Sequence, residues 1–349
     1  MPFSVVNPMR GVMLATLLPF LGGCYLMQAA AGQMAVMAER QPVAEIVRNP
    51  KTPPQLRTRL VELGAARDFA SGALALPDNE SYRLYADIGR NYVVWNVFAT
   101  PPFSVEARRW CFPVAGCVVY RGYFSEHRAQ AYAGRLRRKG DDVAVGGVTA
   151  YSTLGHFADP ILSSMLPYSD AQLAGTVFHE LAHQLIYFKD DSAFNEAFAS
   201  TVEEVGVVRW LARSGRQADL DAWQRQKQRG EDFSRLLLGA REQLRGLYAE
   251  PLQPAEMNHR KQQILGRLKF SYEQQRSEWG GYAGYDAWFA RTLTNADLVA
   301  TATYRRCIPG FKRMLAASGD DLGEFYQRVR KLASETPAAR QQLLCAGPD

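Results

Sequence analysis

The sequence lacks several features that would point directly to one class of protein. Its 349 residues include only five cysteines and five histidines, and 41 basic against 35 acidic residues leave a net charge of +6. No dense basic block occurs, which argues against nucleic-acid binding. No run of 18 or more apolar residues occurs in 40–349, so a membrane-spanning helix is not expected there. Without internal repeats, the length suits one large domain or two smaller ones.

The first 23 residues differ from the rest of the chain. Arg10 is their only charge, and the apolar run after it ends in Leu21-Gly22-Gly23-Cys24. This order is typical of a secretory signal, and small residues before a cysteine resemble a bacterial lipobox. We predict a signal peptide over 1–23 and acylation of Cys24. The protein would then face the periplasm, anchored by lipid to a bacterial membrane, with the outer membrane as the expected one. The alternatives are an uncleaved anchor or a buried helix.

The remaining cysteines are consistent with export. Cys111 and Cys117 flank a short loop rich in turn-forming residues, and we predict a disulfide between them in an oxidising compartment. Cys307 and Cys345 could form a second pair. The alternative is four buried free thiols. The spacing of the four is not that of a zinc ribbon.

Hydrophobic periodicity predicts a mostly helical α+β protein with a small strand region. Up to residue 168 we expect helices and strands, and from 169 onward helices alone, within one domain of residues 24–349. Ser169 and Gln172 form a capping box for a helix in the second part. Two long polar helices, 216–249 and 255–279, should form an αα-hairpin. The other predicted helices are 25–40, 53–73, 125–139 and 192–213, and the predicted strands are 90–99, 118–123 and 142–150.

The motif His179-Glu180-Leu181-Ala182-His183 carries the clearest chemical signal. Histidines at i and i+4 lie on one face of a helix, one turn apart, and can bind one metal ion. Glu180 is turned by about 100° from His179, where a carboxylate can contact a water instead of the metal. The alternative is a helix with two core or surface histidines.

A catalytic zinc site needs a third protein ligand and an open position. We expect Glu196 in the first turn of the next predicted helix, and a chain reversal after the loop at 189–191 would bring it beside the histidines. Glu203 lies two turns further on the same face and could accept the second ring N–H of a ligand histidine. The alternative for Glu203 is a solvent-exposed charge.

HELAH followed by Asn195-Glu196-Ala197-Phe198-Ala199 resembles the gluzincin metallopeptidases, especially the aminopeptidase N type. The resemblance implies a zincin-like pair of active-site helices, with His179, His183 and Glu196 as Zn²⁺ ligands. It also implies Glu180 as general base and Glu203 as support for a ligand. Ala197 departs from the family's glycine, the gap after His183 is shorter, and the Gly-x-Met-Glu-Asn segment that binds the substrate amino group is absent. Glu203 has the thermolysin-type distance from His183 and is the alternative ligand.

Segments outside the motif resemble a family of bacterial lipoproteins described as zinc-dependent aminopeptidases. They are SYRLYADIGRNYVVWNVFA, WCFPVAGC, YRGYF and GGVTAYSTLGHFADPILSSML. The resemblance implies a membrane-anchored peptidase that acts on peptides. An endopeptidase of the cell envelope and a non-catalytic zinc-binding scaffold are the alternatives.

The sequence also offers candidates for the residue that stabilises the oxyanion and for the strand that binds the substrate. Gluzincins often stabilise the oxyanion with a tyrosine or histidine from a later helix, for which Tyr304 is the candidate and Tyr151 and His156 are the other options. Gly146 and Gly147 lie in the predicted strand before the HELAH helix, where a substrate backbone could pair with the strand edge, with Tyr151 nearby. A packing glycine pair or a bulge would explain the two glycines equally well.

Overall fold

The computed structural model describes residues 20–112, 116–302 and 307–345. The fold is α+β and mostly helical, as predicted. Its α-helices are α1 (Phe20–Ala38), α2 (Val43–Arg48), α3 (Pro54–Leu74), α4 (Glu126–Arg138), α5 (Asp170–Leu185), α6 (Ser192–Arg213), α7 (Gln217–Tyr248), α8 (Pro254–Glu278), α9 (Asp286–Phe289), α10 (Asn295–Ala302), α11 (Ile308–Ala316), α12 (Leu322–Lys331) and α13 (Pro337–Cys345).

The strands are short and form three small sheets. They are β1 (Arg40–Pro42), β2 (Leu84–Ala86), β3 (Val94–Thr100), β4 (Trp110–Phe112), β5 (Gly116–Val118), β6 (Arg121–Tyr123), β7 (Asp142–Val148) and β8 (Ile161–Leu162). The sheet orders are β1-β2-β8, β6-β3-β7 and β4-β5, and only the β2–β8 pair is parallel.

Local sequence signals account for the start of several helices. Ser169 and Gln172 exchange the two hydrogen bonds of the capping box, which confirms the predicted start of α5. Pro54 begins α3 and Pro254 begins α8, positions where a missing backbone N–H costs nothing. The two long helices α7 and α8 pack together as the predicted αα-hairpin.

The strand predictions were less accurate. The stretch 118–123, predicted as one strand, is divided between β5 and β6, and β3 begins four residues later than predicted. The sheet of β1, β2 and β8 was not predicted, because strands of two or three residues carry too little alternation to be recognised.

Buried side chains form three clusters. The main one fills the space between α3, α5, α6 and the helices that follow residue 307. A second lies within the α7–α8 hairpin and against α9 and α10, and a third lies between α4 and the sheet β6-β3-β7. The main core therefore surrounds the two helices that carry the HELAH and NEAFA segments.

Disulfides connect two parts of the chain. Cys111 and Cys117 close the β4–β5 hairpin, and Cys307 and Cys345 join the beginning of α11 to the end of α13. Among the helices described, none combines the length and apolarity needed to cross a bilayer. Residues 1–19 of the predicted signal peptide and the Cys24 side chain lie outside the described part of the chain.

Candidate metal centre

Helices α5 and α6 pack closely because two glycines face the contact. A Cβ atom on Gly206 would lie 2.6 Å from the Phe178 ring, and one on Gly175 would lie 3.2 Å from the side chains of Glu203 and Val207. Larger residues would push the helices apart. The close approach brings the carboxylates of α6 within reach of the α5 histidines.

The structure brings His179, His183 and Glu196 together. The two histidine Nε2 atoms lie 3.2 Å apart, and the Glu196 carboxylate lies 3.4 Å from His179 Nε2 and 3.6 Å from His183 Nε2. His183 is buried, while about a third of the Glu196 side chain is exposed. Two imidazole nitrogens and a carboxylate therefore converge at a point open to solvent, an arrangement that can hold a metal ion.

The second ring nitrogens of the two histidines have different environments. His179 Nδ1 donates to Glu203 Oε2 at 3.1 Å, which orients the ring and leaves Nε2 free for a metal. His183 Nδ1 is buried and has no hydrogen-bond partner in the described chain. Packing rather than a second hydrogen bond therefore holds the His183 ring.

The electrostatics of the site are dominated by carboxylates. Burial raises the pKa of Glu180 to about 7; His179 opposes this shift, and Glu196 adds to it. Burial and then His179 lower the pKa of His183 to about 4, so its ring is neutral, which is the form that binds metals. Three glutamates close to two imidazoles favour a bound cation.

At two residues of the site, charge pairing shifts the pKa in the direction opposite to burial. Burial alone would lower the pKa of His179, but hydrogen bonds with Glu196 and Glu203 raise it well above its usual value. Burial would raise the pKa of Glu196, but its hydrogen bond with His179 and the positive charge on that ring lower it. The carboxylates around His179 therefore favour a positive charge at this position, which a metal ion would supply.

Comparison with known proteins relates this chain to a family. A family model described as "Putative aminopeptidase" matches residues 24–344. The chain belongs to this family. Searches of curated proteins and of solved structures each found no match. Membership in the aminopeptidase family supports a peptidase activity for the protein, and it leaves the metal and the substrate to be argued from the site itself.

In this aminopeptidase family member, buried polar contacts fix the loop between α5 and α6. The Asn195 side chain donates to Phe188 O at 2.7 Å and accepts from Phe188 N at 2.8 Å. Asn195 is 1% exposed, so the asparagine beside Glu196 ties the first turn of α6 to the end of the loop. At the same turn, Asp191 pairs with the buried Arg340 of α13 at 2.7 Å.

Substitution Arg340→Met is expected to destabilise the protein by about 3 kcal/mol, because it leaves the Asp191 carboxylate, which is only 13% exposed, without its partner. Urea unfolding would measure the loss. The matched control is Arg328→Met, which removes an exposed pair with Glu324 and should cost no more than about 1 kcal/mol. Equal losses in the two variants would show that the Asp191 pair does not stabilise the start of α6.

The structure places the other predicted site residues as follows. The Tyr92 ring covers Gly147, where an added Cβ atom would lie 2.3 Å from it, so packing explains that glycine. At the same position on Gly146, no atom of the described residues other than its chain neighbours lies within 4 Å. Tyr151 is half-buried and donates to Gln33 of α1. His156 is exposed in a loop. Tyr304 lies outside the described residues.

Sequence reasoning missed three tyrosines that interact with the carboxylates of the site. Burial and then Glu196 raise the pKa of Tyr120 to about 12 and also raise that of Tyr187, whose ring centre lies 6.2 Å from that of His183. Tyr82 is buried, its hydroxyl lacks a partner in the described chain, and its φ of 64° is left-handed. Burial and then Glu180 raise its pKa well above the usual value.

No local pattern marks these tyrosines as part of a site. Tyr120 and Tyr82 are distant in sequence from HELAH, and only tertiary folding brings them close to its charges. Backbone strain such as that at Tyr82 often occurs at functional sites, but it is visible only in a structure.

Proposed function

We propose that the protein is a zinc-dependent peptidase that hydrolyses peptide bonds at the site of His179, His183 and Glu196. Within the peptidases, we propose an aminopeptidase. The observation that carries the proposal is the convergence of their three ligand atoms beside Glu180. Ligands about 2.0–2.1 Å from a tetrahedral zinc ion lie about 3.3–3.4 Å from one another. The 3.2 Å between the two histidine Nε2 atoms is close to this value, and each Nε2 has a different oxygen of Glu196 nearby, Oε2 at 3.4 Å from His179 and Oε1 at 3.6 Å from His183, which supports zinc.

The residues of the site have separate roles in hydrolysis. A zinc ion bound there would supply a Lewis acid and lower the pKa of a coordinated water. Glu180 takes a proton from the attacking water and transfers it to the leaving amine nitrogen. Glu203 holds the proton of His179 Nδ1 and so keeps the ring in place. Tyr304 remains the candidate for a hydroxyl that stabilises the oxyanion.

The proposed location is the periplasmic face of a bacterial membrane, with the chain anchored by acylated Cys24. Two disulfides support an oxidising compartment, since such bonds persist mainly outside the cytosol.

Removal of the metal is expected to abolish hydrolysis, and stoichiometric zinc should restore it. The measurement is the hydrolysis rate of short peptides with free amino termini by the purified protein before chelation, after chelation and after addition of zinc. Peptides with acetylated amino termini are the control for specificity, because an aminopeptidase should leave them intact. Cleavage of both kinds would indicate an endopeptidase. A fully metal-loaded protein that hydrolyses no peptide would favour a scaffold.

A further inference from the structure

Helix α1 is exceptional in the distribution of its charges. No charged residue occurs between Arg10 and Glu39, so all 19 residues of α1 (Phe20–Ala38) are uncharged. A surface helix of a soluble protein normally carries charged or polar residues on its outer face. A helix without charges is normally buried on all sides.

The inner face of α1 carries its polar side chains. Gln28 is buried, donates to Gly122 O and accepts from Phe124 N, both at 3.3 Å. Gln33, which is half-buried, accepts a hydrogen bond from the hydroxyl of Tyr151. The body of the protein therefore binds α1 in part through amides that could instead have faced water.

The outer face of α1 is entirely apolar. Leu26, Met27 and Met34 are 48%, 64% and 62% exposed. Every exposed residue between positions 25 and 38 is leucine, methionine or alanine, and the set comprises Leu26, Met27, Ala30, Ala31, Met34, Ala35 and Ala38. The exposed side of α1 is thus wholly apolar, whereas the side toward the protein holds both Val36 and the two amides. Such a pattern suits an outer medium that is not water.

The dimensions of this face argue against a second copy of the protein as its cover. From Leu26 to Ala38 the helix rises about 18 Å, and with a helix width of about 10 Å the face covers roughly 200 Å². A stable interface buries about 800 Å² on each partner. A lipid surface needs no such minimum area, because the acyl chains contribute to the attachment.

The chain around α1 favours lipid. Cys24, the residue proposed to be acylated, lies two positions before Leu26 on the same helix. We propose that the outer face of α1 lies in the interfacial layer of the bilayer, parallel to the surface, and fixes the orientation of the protein on the membrane. This inference rests on the proposed membrane attachment at Cys24 and is independent of the proposed peptidase activity.

The mature protein, isolated from bacterial membranes and reconstituted in phosphatidylethanolamine–phosphatidylglycerol vesicles, provides the test. A lipid-borne diazirine labels residues in contact with the bilayer, and peptide mass spectrometry locates the label. We expect at least fivefold more label on the peptide with Met27 and Met34 than on those with Val61 or Phe270. These controls are 51% and 60% exposed apolar residues on α3 and α8.

Two matched double variants complete the design. Met27→Glu with Met34→Glu should lower labelling of α1 at least fivefold, whereas Val61→Glu with Phe270→Glu should leave it unchanged. Equal labelling of α1 and the control segments in the wild type would overturn the inference, as would unchanged labelling in the α1 variant. An unlabelled α1 whose amides resist hydrogen exchange would also overturn it, in favour of a protein cover. The mass at Cys24 tests acylation separately.

Discussion

Substitution Glu180→Gln is expected to lower kcat by about 10³-fold while the protein keeps its zinc. General acid–base catalysis typically contributes between about 10² and 10⁴, and glutamine has the shape of glutamate but cannot take up the proton. Zinc content should not change, because Glu180 is not among the three groups whose ligand atoms converge. The turnover of a short peptide and the zinc content of the same sample measure the two effects.

The matched control is Glu204→Gln on α6. Glu204 pairs with Lys227 and Lys312, contacts that occupy its carboxylate away from the histidines. Its replacement should change kcat by less than about twofold and leave zinc in place. An active Glu180→Gln protein would exclude Glu180 as the general base. Loss of zinc from that variant would instead make Glu180 part of the metal site.

Much of the fold was predictable where signals are local. The prediction of a helix over 192–213 is confirmed at both ends of α6, and α3 begins and ends within one residue of its prediction. Helix periodicity and proline positions depend on neighbouring residues alone. Strand pairing depends on residues distant in sequence, which explains why β1, β2 and β8 were missed and the break between β5 and β6 was not foreseen.

The candidate site, like the fold, could be predicted where the signals are local and not where they depend on tertiary packing. The spacing of His179 and His183 on one helix face follows from helix geometry, as does the relation of Glu196 to Glu203. The sequence could not show how closely α5 and α6 approach. That distance depends on Gly206 packing against Phe178.

The loop between the two helices depends on even more distant residues. Arg340 reaches Asp191 from 149 positions away, and Cys345 ties the helix that carries Arg340 to α11. The C-terminal helices thus support the first turn of α6, which directly precedes Glu196. These contacts join residues that are distant in sequence. They could therefore not be predicted from the NEAFASTVEE segment alone.

Substitution Glu196→Ala is expected to weaken zinc binding by more than about 100-fold, whereas Glu203→Gln should weaken it by about 10–100-fold. The larger effect follows from the removal of one of three converging ligand groups. The smaller range is typical of residues that orient a ligand histidine, and Glu203 contacts His179 Nδ1 rather than the shared centre. Competition with a chromophoric zinc chelator measures both dissociation constants under the same conditions.

The variant that loses more zinc affinity identifies the carboxylate that is the third ligand. Glu203 has the thermolysin-type distance from His183, and in that arrangement its loss would be the more severe. In the structure the Glu196 carboxylate reaches the Nε2 atoms of both histidines, whereas Glu203 approaches the opposite nitrogen of His179. A carboxylate on the Nδ1 side of a ring cannot bind a metal on its Nε2 side without rotation of the ring. Tighter zinc binding by Glu196→Ala than by Glu203→Gln would therefore require a rearranged His179 and would assign the third ligand to Glu203.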